Sequence, residues 1–353
     1  MTSTPTRPDT GQRPGRRLPR LLRLRPDQVN ALLAVAVSGA VVTGLVSWAV
    51  GSEWARLWTA LHAVFGVLIL VLTPAKLRGS VRSGLRRGRP SRWLSALFGL
   101  VVLAVTGFGF AHSTGAWTGV GYWSPLWTHV LLASLAVPLL LWHVGARPVR
   151  SRAVDLDRRM LLGTGVAVGA AAVTVGPVEL SVRALGLSGA TRRFTGSHEI
   201  ASMDPARMPT VSWIDDSPPP TDPEAWELVV DGSAVALDEL GALARPMVAA
   251  LDCTGGWWSL QAWDAVPVAE LLESSARSFV VRSATGYTRT FPMRDAAVVH
   301  LAVGYGGRPL RRGHGAPLRI VAPGRRGPWW VKWVTAVEPS DRPWWLQSPF
   351  PTT

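Results

Sequence analysis

VNALLAVAVSGAVVTGLVSWAV (Val29–Val50) runs for 22 residues without a formal charge. A helix of that length and character crosses the hydrocarbon layer of a bilayer, so the stretch predicts a membrane span. Three further segments read the same way: Leu57–Ala75, Trp93–Ala111 and Leu126–Ala146. Between the second and third lie Lys76, Arg78, Arg82, Arg86, Arg87, Arg89 and Arg92, whereas the connections around 51–56 and 112–125 carry few charges. Excess basic residues mark the cytoplasmic side, which puts the quiet connections outside. Trp48, Trp54, Trp58, Trp117, Trp123 and Trp127 gather near those outer ends, where indoles settle at headgroup level.

The chain has 353 residues and a formal charge of +14. The arginines crowd into 7–25, 76–92 and 147–159, each crowd bordering an apolar run. That is the distribution of a multispanning protein, not of a nucleic-acid-binding face. Residues 1–26 are rich in Pro and Arg, lack an apolar period, and read as a disordered cytoplasmic tail. Residues 27–147 then form a four-helix transmembrane module.

A fifth apolar segment, Met160–Val175, follows Arg158-Arg159. Paired arginines, a variable residue and two apolar residues resemble an internal twin-arginine export signal; Asp157 and Gly163 depart from the usual neighbours, and inside-facing anchorage is the alternative. With this segment (148–185) as a fifth anchor, everything beyond it lies outside the cytoplasm. From Phe194 the composition changes, with more Pro, Gly, Asp and Trp and shorter apolar runs. The expectation for 194–353 is an α+β, strand-rich globular domain. Trp226–Val230 reads as a strand entering the Asp231-Gly232 turn, Ala265–Glu273 as a short helix, and Leu318–Ala322 and Val331–Val337 as strands.

The single cysteine excludes an intrachain disulfide. It stands in Leu251-Asp252-Cys253-Thr254-Gly255-Gly256-Trp257-Trp258. A thiolate in a tight glycine loop beneath indoles suits a high-valent metal, and a buried structural cysteine is the alternative. Two more segments draw attention: Gly313-His314-Gly315-Ala316-Pro317-Leu318-Arg319, and Trp329-Trp330-Val331-Lys332-Trp333. His314, Arg319 and Lys332 together would suit a large anionic cofactor, though each alone also reads as a turn or strand-surface residue.

In order and spacing these three segments resemble the molybdopterin-binding domain of the sulfite oxidase family, over roughly residues 195–340. The resemblance implies that Cys253 ligates molybdenum and is the catalytic centre, that His314 and Arg319 contact the pterin phosphate, and that Lys332 lies at the cofactor. It also implies a looser correspondence for Asp295. A cofactor inserted in the cytoplasm explains an export route for folded cargo. The implied activity is oxygen-atom transfer on a small-molecule substrate, in an arrangement similar to the bacterial membrane-attached branch. The indoles near Cys253 argue for an apolar or aromatic-edged substrate.

The helical half contributes His62, His129 and His143. His62 and His129 fall at matched depth below the outer surface, as the axial ligands of one b-type haem would. His129 and His143 are 14 residues apart, near one helix face, but Lys76 occupies the position of a partner for His143. This half is similar to four-helix cytochrome b modules through the histidine spacing alone; interhelical hydrogen bonding is the other reading. A quinone or a cytochrome would be the redox partner and membrane lipid the surroundings. The competing function is a metal-free binding or sensing module retaining the fold on a helical anchor.

Overall fold

A computed structural model describes residues 26–87, 92–117, 119, 123–146, 158–212, 216–217, 219, 222 and 225–348. The expected tail at 1–25 and the basic residues at 147–157 lie outside the described residues. Five helices open the chain: α1 (Pro26–Ala49), α2 (Ala55–Arg87), α3 (Arg92–Thr114), α4 (Pro125–Gly145) and α5 (Arg158–Ala184). Each contains a stretch of 20 to 23 residues long and apolar enough to cross a membrane. The four expected spans correspond to α1 to α4, the first and fourth overrunning their helices by one residue, Val50 and Ala146. The fifth extends beyond the sequence estimate, to Ala184, and Arg158-Arg159 open it.

α1 packs on α2 and α3 on α4, with α5 against α2. Small residues set how close the helices come, as expected where lipid removes the usual hydrophobic drive. A methyl group at Gly39 would strike the Phe65 ring within 2.8 Å, and one at Gly44 would meet the His62 imidazole at 3.0 Å. Leu32, Ala36, Leu68, Leu72 and Ala171 are buried between α1, α2 and α5. Val35, Leu100, Leu141 and Val173 stay exposed.

The second half holds β1 (His198–Glu199), β2 (Glu227–Val230), β3 (Ser233–Ala236), α6 (Leu237–Leu243), β4 (Arg245–Asp252), β5 (Trp257–Pro267), β6 (Ser278–Ser283), β7 (Thr288–Pro292), β8 (His300–Tyr305), β9 (Arg308–Pro309), β10 (Arg319–Val321) and β11 (Val334–Ser340). One sheet runs β1-β5-β8-β10, with β4 on β5 and β9 on β8; the other runs β3-β2-β11-β6-β7. β5 alternates strictly over its first nine residues, so Trp257, Ser259, Gln261, Trp263 and Ala265 all point inward. They share one core with Leu228, Phe279, Phe291, Leu301, Ile320 and Val337 from both sheets.

The expected strand at Trp226–Val230 is β2, and Asp231 and Gly232 close its hairpin with φ of 47° and 79°. Such positive values fit the right-handed twist of the paired strands. The expected helix at Ala265–Glu273 is not formed. Ala265–Pro267 end β5, and only Val268–Glu270 make a single 3₁₀ turn. Pro267 biases Val266 away from helical backbone, so the apolar spacing is used by a strand and a turn. The expected strand Val331–Val337 starts late, at Val334, because Trp333 takes φ +52° and breaks the extended run.

Candidate active site

β4 and β5 form a hairpin whose connection is Cys253–Gly256. The Cys253 N–H donates to Trp257 O at 2.8 Å, and the Gly256 N–H to Cys253 O at 3.2 Å. Gly256 turns at φ +89°, a conformation glycine adopts without penalty. The thiol is buried, and the Gly255 N–H points at its Sγ from 3.3 Å. Burial pushes the thiol above its ordinary range; the Gly255 N–H and the charges of Arg326 and Lys332 pull it back.

The loop is fixed from behind by a buried ion pair. Arg326 Nη1 donates to Asp252 Oδ1 at 2.9 Å, and Arg326 Nη2 reaches Cys253 O at 3.3 Å. Ser197 Oγ and Thr195 Oγ1 each donate to Asp252 at 2.7 Å. Both partners are almost fully buried, and burial lowers the Arg326 pKa while Asp252 holds it up. Asp252 carries no role that its sequence context reveals, and neither do Arg326, Ser197 and Thr195. An acidic residue at the end of the apolar strand Met247–Asp252, and an Arg pair between Gly324 and Gly327, were the available signals.

A cationic cluster stands beside this loop. Arg319 and Lys332 are bridge partners, and Gly315, at φ +106°, lies over both; a methyl group there would meet their Cβ atoms at 3.0 and 3.1 Å. Arg319 is buried between the faces of Trp263 and Trp330, at 5.1 and 5.6 Å, and Nη1 donates to His314 O at 2.8 Å. Lys332 Nζ donates to Gly313 O at 2.7 Å and Val211 O at 2.9 Å. Burial lowers Arg319 to about 10, and burial followed by the Arg319 charge lowers Lys332 to about 8. Both carry charge at neutral pH, and both lie within electrostatic reach of Cys253.

His314 sits in the same cluster but its ring is turned inward. Nδ1 meets Tyr305 Oη at 3.1 Å and Nε2 meets Met208 O at 3.2 Å. Burial, then Arg319 and Lys332, lower it to about 4, so it is neutral at pH 7. Asp295 is placed elsewhere: it accepts from Arg325 Nη2 at 2.6 Å. Among the described residues no group of three or more His, Cys, Asp or Glu side chains converges as a metal site.

Residues 216–346 match the family described as oxidoreductase molybdopterin binding domain. That match spans most of the strand-rich half. No curated protein matches the chain. Among solved structures, the sulfane dehydrogenase SoxCD from Paracoccus pantotrophus is similar at 22% identity, over 35% of this chain and 40% of that one, with a TM-score of 0.33. The chain thus spans less than half the length of that protein.

The donor set suits such a cofactor. Trp257 Nε1 and Trp258 Nε1 are buried without a hydrogen-bond partner, as is Arg326 Nε. A methyl group on Gly255 would lie 3.5 Å from both Cys253 Sγ and Trp257 Nε1, so one of these donors is beside the sulfur. Unsatisfied buried donors are costly, and an acceptor-rich anion answers them.

In the helical half the structure brings His62 and His129 together. Their ring centroids are 5.8 Å apart and the planes nearly perpendicular. His62 Nδ1 is hydrogen-bonded to Ala40 O at 2.9 Å and His129 Nδ1 to Val105 O at 2.8 Å. A methyl group on Gly109 would meet His129 Nδ1 at 2.9 Å. His143 is apart from the pair, tilted against Phe98 at 5.4 Å.

The halves meet at the Cys253 loop. A methyl group on Gly256 would lie 2.8 Å from His112 Cε1 of α3, and one on Gly51 2.7 Å from the backbone of Arg325 and Arg326. His198 Nε2 donates to His112 O at 2.8 Å, with the two rings edge to face.

Proposed function

We propose that the protein is a membrane-anchored, sulfite oxidase-like molybdenum oxidoreductase working outside the cytoplasm, with the helical half carrying its electrons. The observation that carries this reading is the buried Cys253 thiol, held on a fixed hairpin loop among Arg319, Arg326 and Lys332, inside the segment that matches the molybdopterin family. Cys253 would be the metal's protein ligand. Arg319 and Lys332 would hold the anionic pterin and its phosphate. His314, bonded to Tyr305 and to Met208 O, would fix the turn that presents them. Asp295 would steady Arg325 and so the turn before Trp329. The cofactor supplies two-electron oxygen-atom exchange with a small-molecule substrate. Burial alone would favour the protonated thiol; the Gly255 N–H and the charges of Arg326 and Lys332 oppose it and would favour a metal-bound thiolate and anionic ligands.

His62 and His129 would hold one b-type haem, which would supply one-electron transfer. Both use Nδ1 on a backbone carbonyl, and none of the described hydrogen bonds engages either Nε2. A ligand imidazole is held that way, its second nitrogen fixing the ring. The Cys253 loop meets α3 and α4 at Gly256, beside His112 and Leu126, so the helical half would be the protein's contact with a quinone or cytochrome partner. Topology follows from the basic residues at 76–92 and 147–159, which would lie inside, with Arg158-Arg159 serving an export route for the folded domain.

The test is elemental analysis of detergent-purified protein beside Cys253→Ser, with molybdenum and iron read together. Near-stoichiometric molybdenum in the wild type, falling at least about tenfold in the variant, is expected. Iron at one equivalent in both proteins, with b-type absorbance lost in His129→Leu, is expected for the haem. Wild-type protein without molybdenum, from a host that makes the cofactor, sinks the enzyme reading.

A further inference from the structure

A cavity of about 200 Å³ lies in the seam between the outer end of α1 and the strand-rich half. Trp48 and Ala49 contribute from α1; Arg289, Arg326, Trp329 and Trp345 are among those contributing from the other side. Arg289 is only 3% exposed. Its Nε donates to Tyr287 Oη at 2.8 Å and Pro328 O at 3.2 Å, and its Nη1 to Ser348 O at 2.6 Å. Nη2 is buried without an acceptor. No carboxylate among the described residues pairs with Arg289. Arg326 differs, since Asp252 answers its charge, but its Nε is also without an acceptor.

The guanidinium does not neutralise in proteins, so Arg289 is a buried cation with no carboxylate at ion-pair distance among the described residues, although Asp216 lies within electrostatic reach of its neighbour Tyr287. Leaving a buried charge unpaired costs several kcal/mol. The Tyr287 and Trp329 rings, at 5.4 and 5.7 Å, return only part of that by cation–π attraction. Something else must offset the remainder. The unsatisfied groups are all donors, so the missing partner is an acceptor carrying negative charge. A planar guanidinium fork matches a tetrahedral oxyanion.

The cavity's place narrows the source. It touches the outer end of α1, and Trp345 and Leu346 beside it are 67% and 73% exposed, as is Trp54 at 72% on the α1–α2 connection. Exposed indoles at the end of an apolar helix belong at headgroup depth. We propose that Arg289 binds a phosphate-class oxyanion in this seam, either the phosphodiester of an anionic phospholipid or free phosphate. The lipid source rests on the membrane-anchored reading; the oxyanion site does not depend on molybdenum or haem. An occupant would touch both halves and tie the catalytic domain to the helices.

The test uses full-length protein in detergent, melted with phosphatidylglycerol, with phosphatidylcholine and with inorganic phosphate. Phosphatidylglycerol at saturation should raise the wild-type Tm by about 5 °C or more. Phosphatidylcholine should do much less, and Arg289→Met should lose the shift. In oxyanion-free protein the order should reverse, Arg289→Met melting above wild type because the unpaired charge is gone. Inorganic phosphate producing the same shift assigns the free ion; its failure beside a phosphatidylglycerol response assigns the lipid. Cofactor-free Cys253→Ser protein should keep the shift, and its loss there would hand the oxyanion to the cofactor and overturn the proposal. Should Arg289→Met not fold, Arg289→Lys should keep a weakened response, and native mass spectrometry of wild type should show phosphatidylglycerol retained over phosphatidylcholine. Equal response to both lipids and none to phosphate, or an undiminished response in Arg289→Met, overturns it.

Discussion

Around Cys253 the polar groups come from separated segments: Thr195 and Ser197 ahead of β1, Asp252 at the end of β4, Arg319 in β10, and Arg326 and Lys332 in the following connection. The His62–His129 pair needs only two helices for its rings and two backbone carbonyls, Ala40 O and Val105 O, on their neighbours. The first site is a buried network in which Asp252 answers Arg326, beside the like-charged Arg319 and Lys332. The second is a pair of imidazole rings set in glycine-lined gaps between helices. The loop site should therefore respond strongly, in stability, to loss of a partner. The helix site should tolerate such loss in stability while losing its ligands.

Asp252→Ala should give the largest effect. It leaves Arg326 buried and unpaired, at about 3–5 kcal/mol to the strand-rich half. Adding Arg326→Met should recover a substantial part, because the stranded charge is then gone. Chemical unfolding followed by tryptophan fluorescence checks both; a fall of under about 1 kcal/mol for Asp252→Ala would mean the network is more solvated than its burial implies.

Acid separates the two regions next. His314 has its pKa lowered from 6.5 to about 4 in the fold. Between those values the unfolded chain binds the proton more readily, so stability is whole above about 6.5 and is lost as pH falls toward about 4. The gap corresponds to roughly 3 kcal/mol. Thermal melts at pH 7 and 4.5 on wild type and His314→Asn should show a smaller acid loss in the variant, by about that amount. Equal losses would place the acid sensitivity in the carboxylates.

The same contrast explains what could be read from sequence. Helical spacing converts residue number into depth, so the spans and the meeting of His62 with His129 followed from counting. The three quoted segments marked Cys253, Arg319 and Lys332 because their glycines and tryptophans are unusual locally. Asp252 with Arg326, 74 residues apart, was not legible, since only sheet pairing brings strand ends of that separation together. The failed helix at Ala265–Glu273 belongs to the same class: its apolar spacing fitted two periods, and the pairing of Pro267 with His300 decided between them.

Gly109→Ala should give the smallest change in stability and the most local change in chemistry. The added methyl would sit 2.9 Å from His129 Nδ1 and 3.0 Å from Cε1, closer than contact allows. Crowding of that kind costs about 1–3 kcal/mol, against up to about 1 kcal/mol returned by the better helix former. The net loss should be about 2 kcal/mol or less. The imidazole, however, must turn, and the hydrogen bond to Val105 O turns with it. If His129 is a haem ligand, Gly109→Ala should shift or broaden the b-type bands while molybdenum content stays at the wild-type level. Gly66, where an added methyl meets nothing within 4 Å, provides the control, and Gly66→Ala should leave the spectrum unchanged. Identical spectra for the two variants would remove His129 from the coordination sphere and leave it with the interhelical hydrogen bond alone.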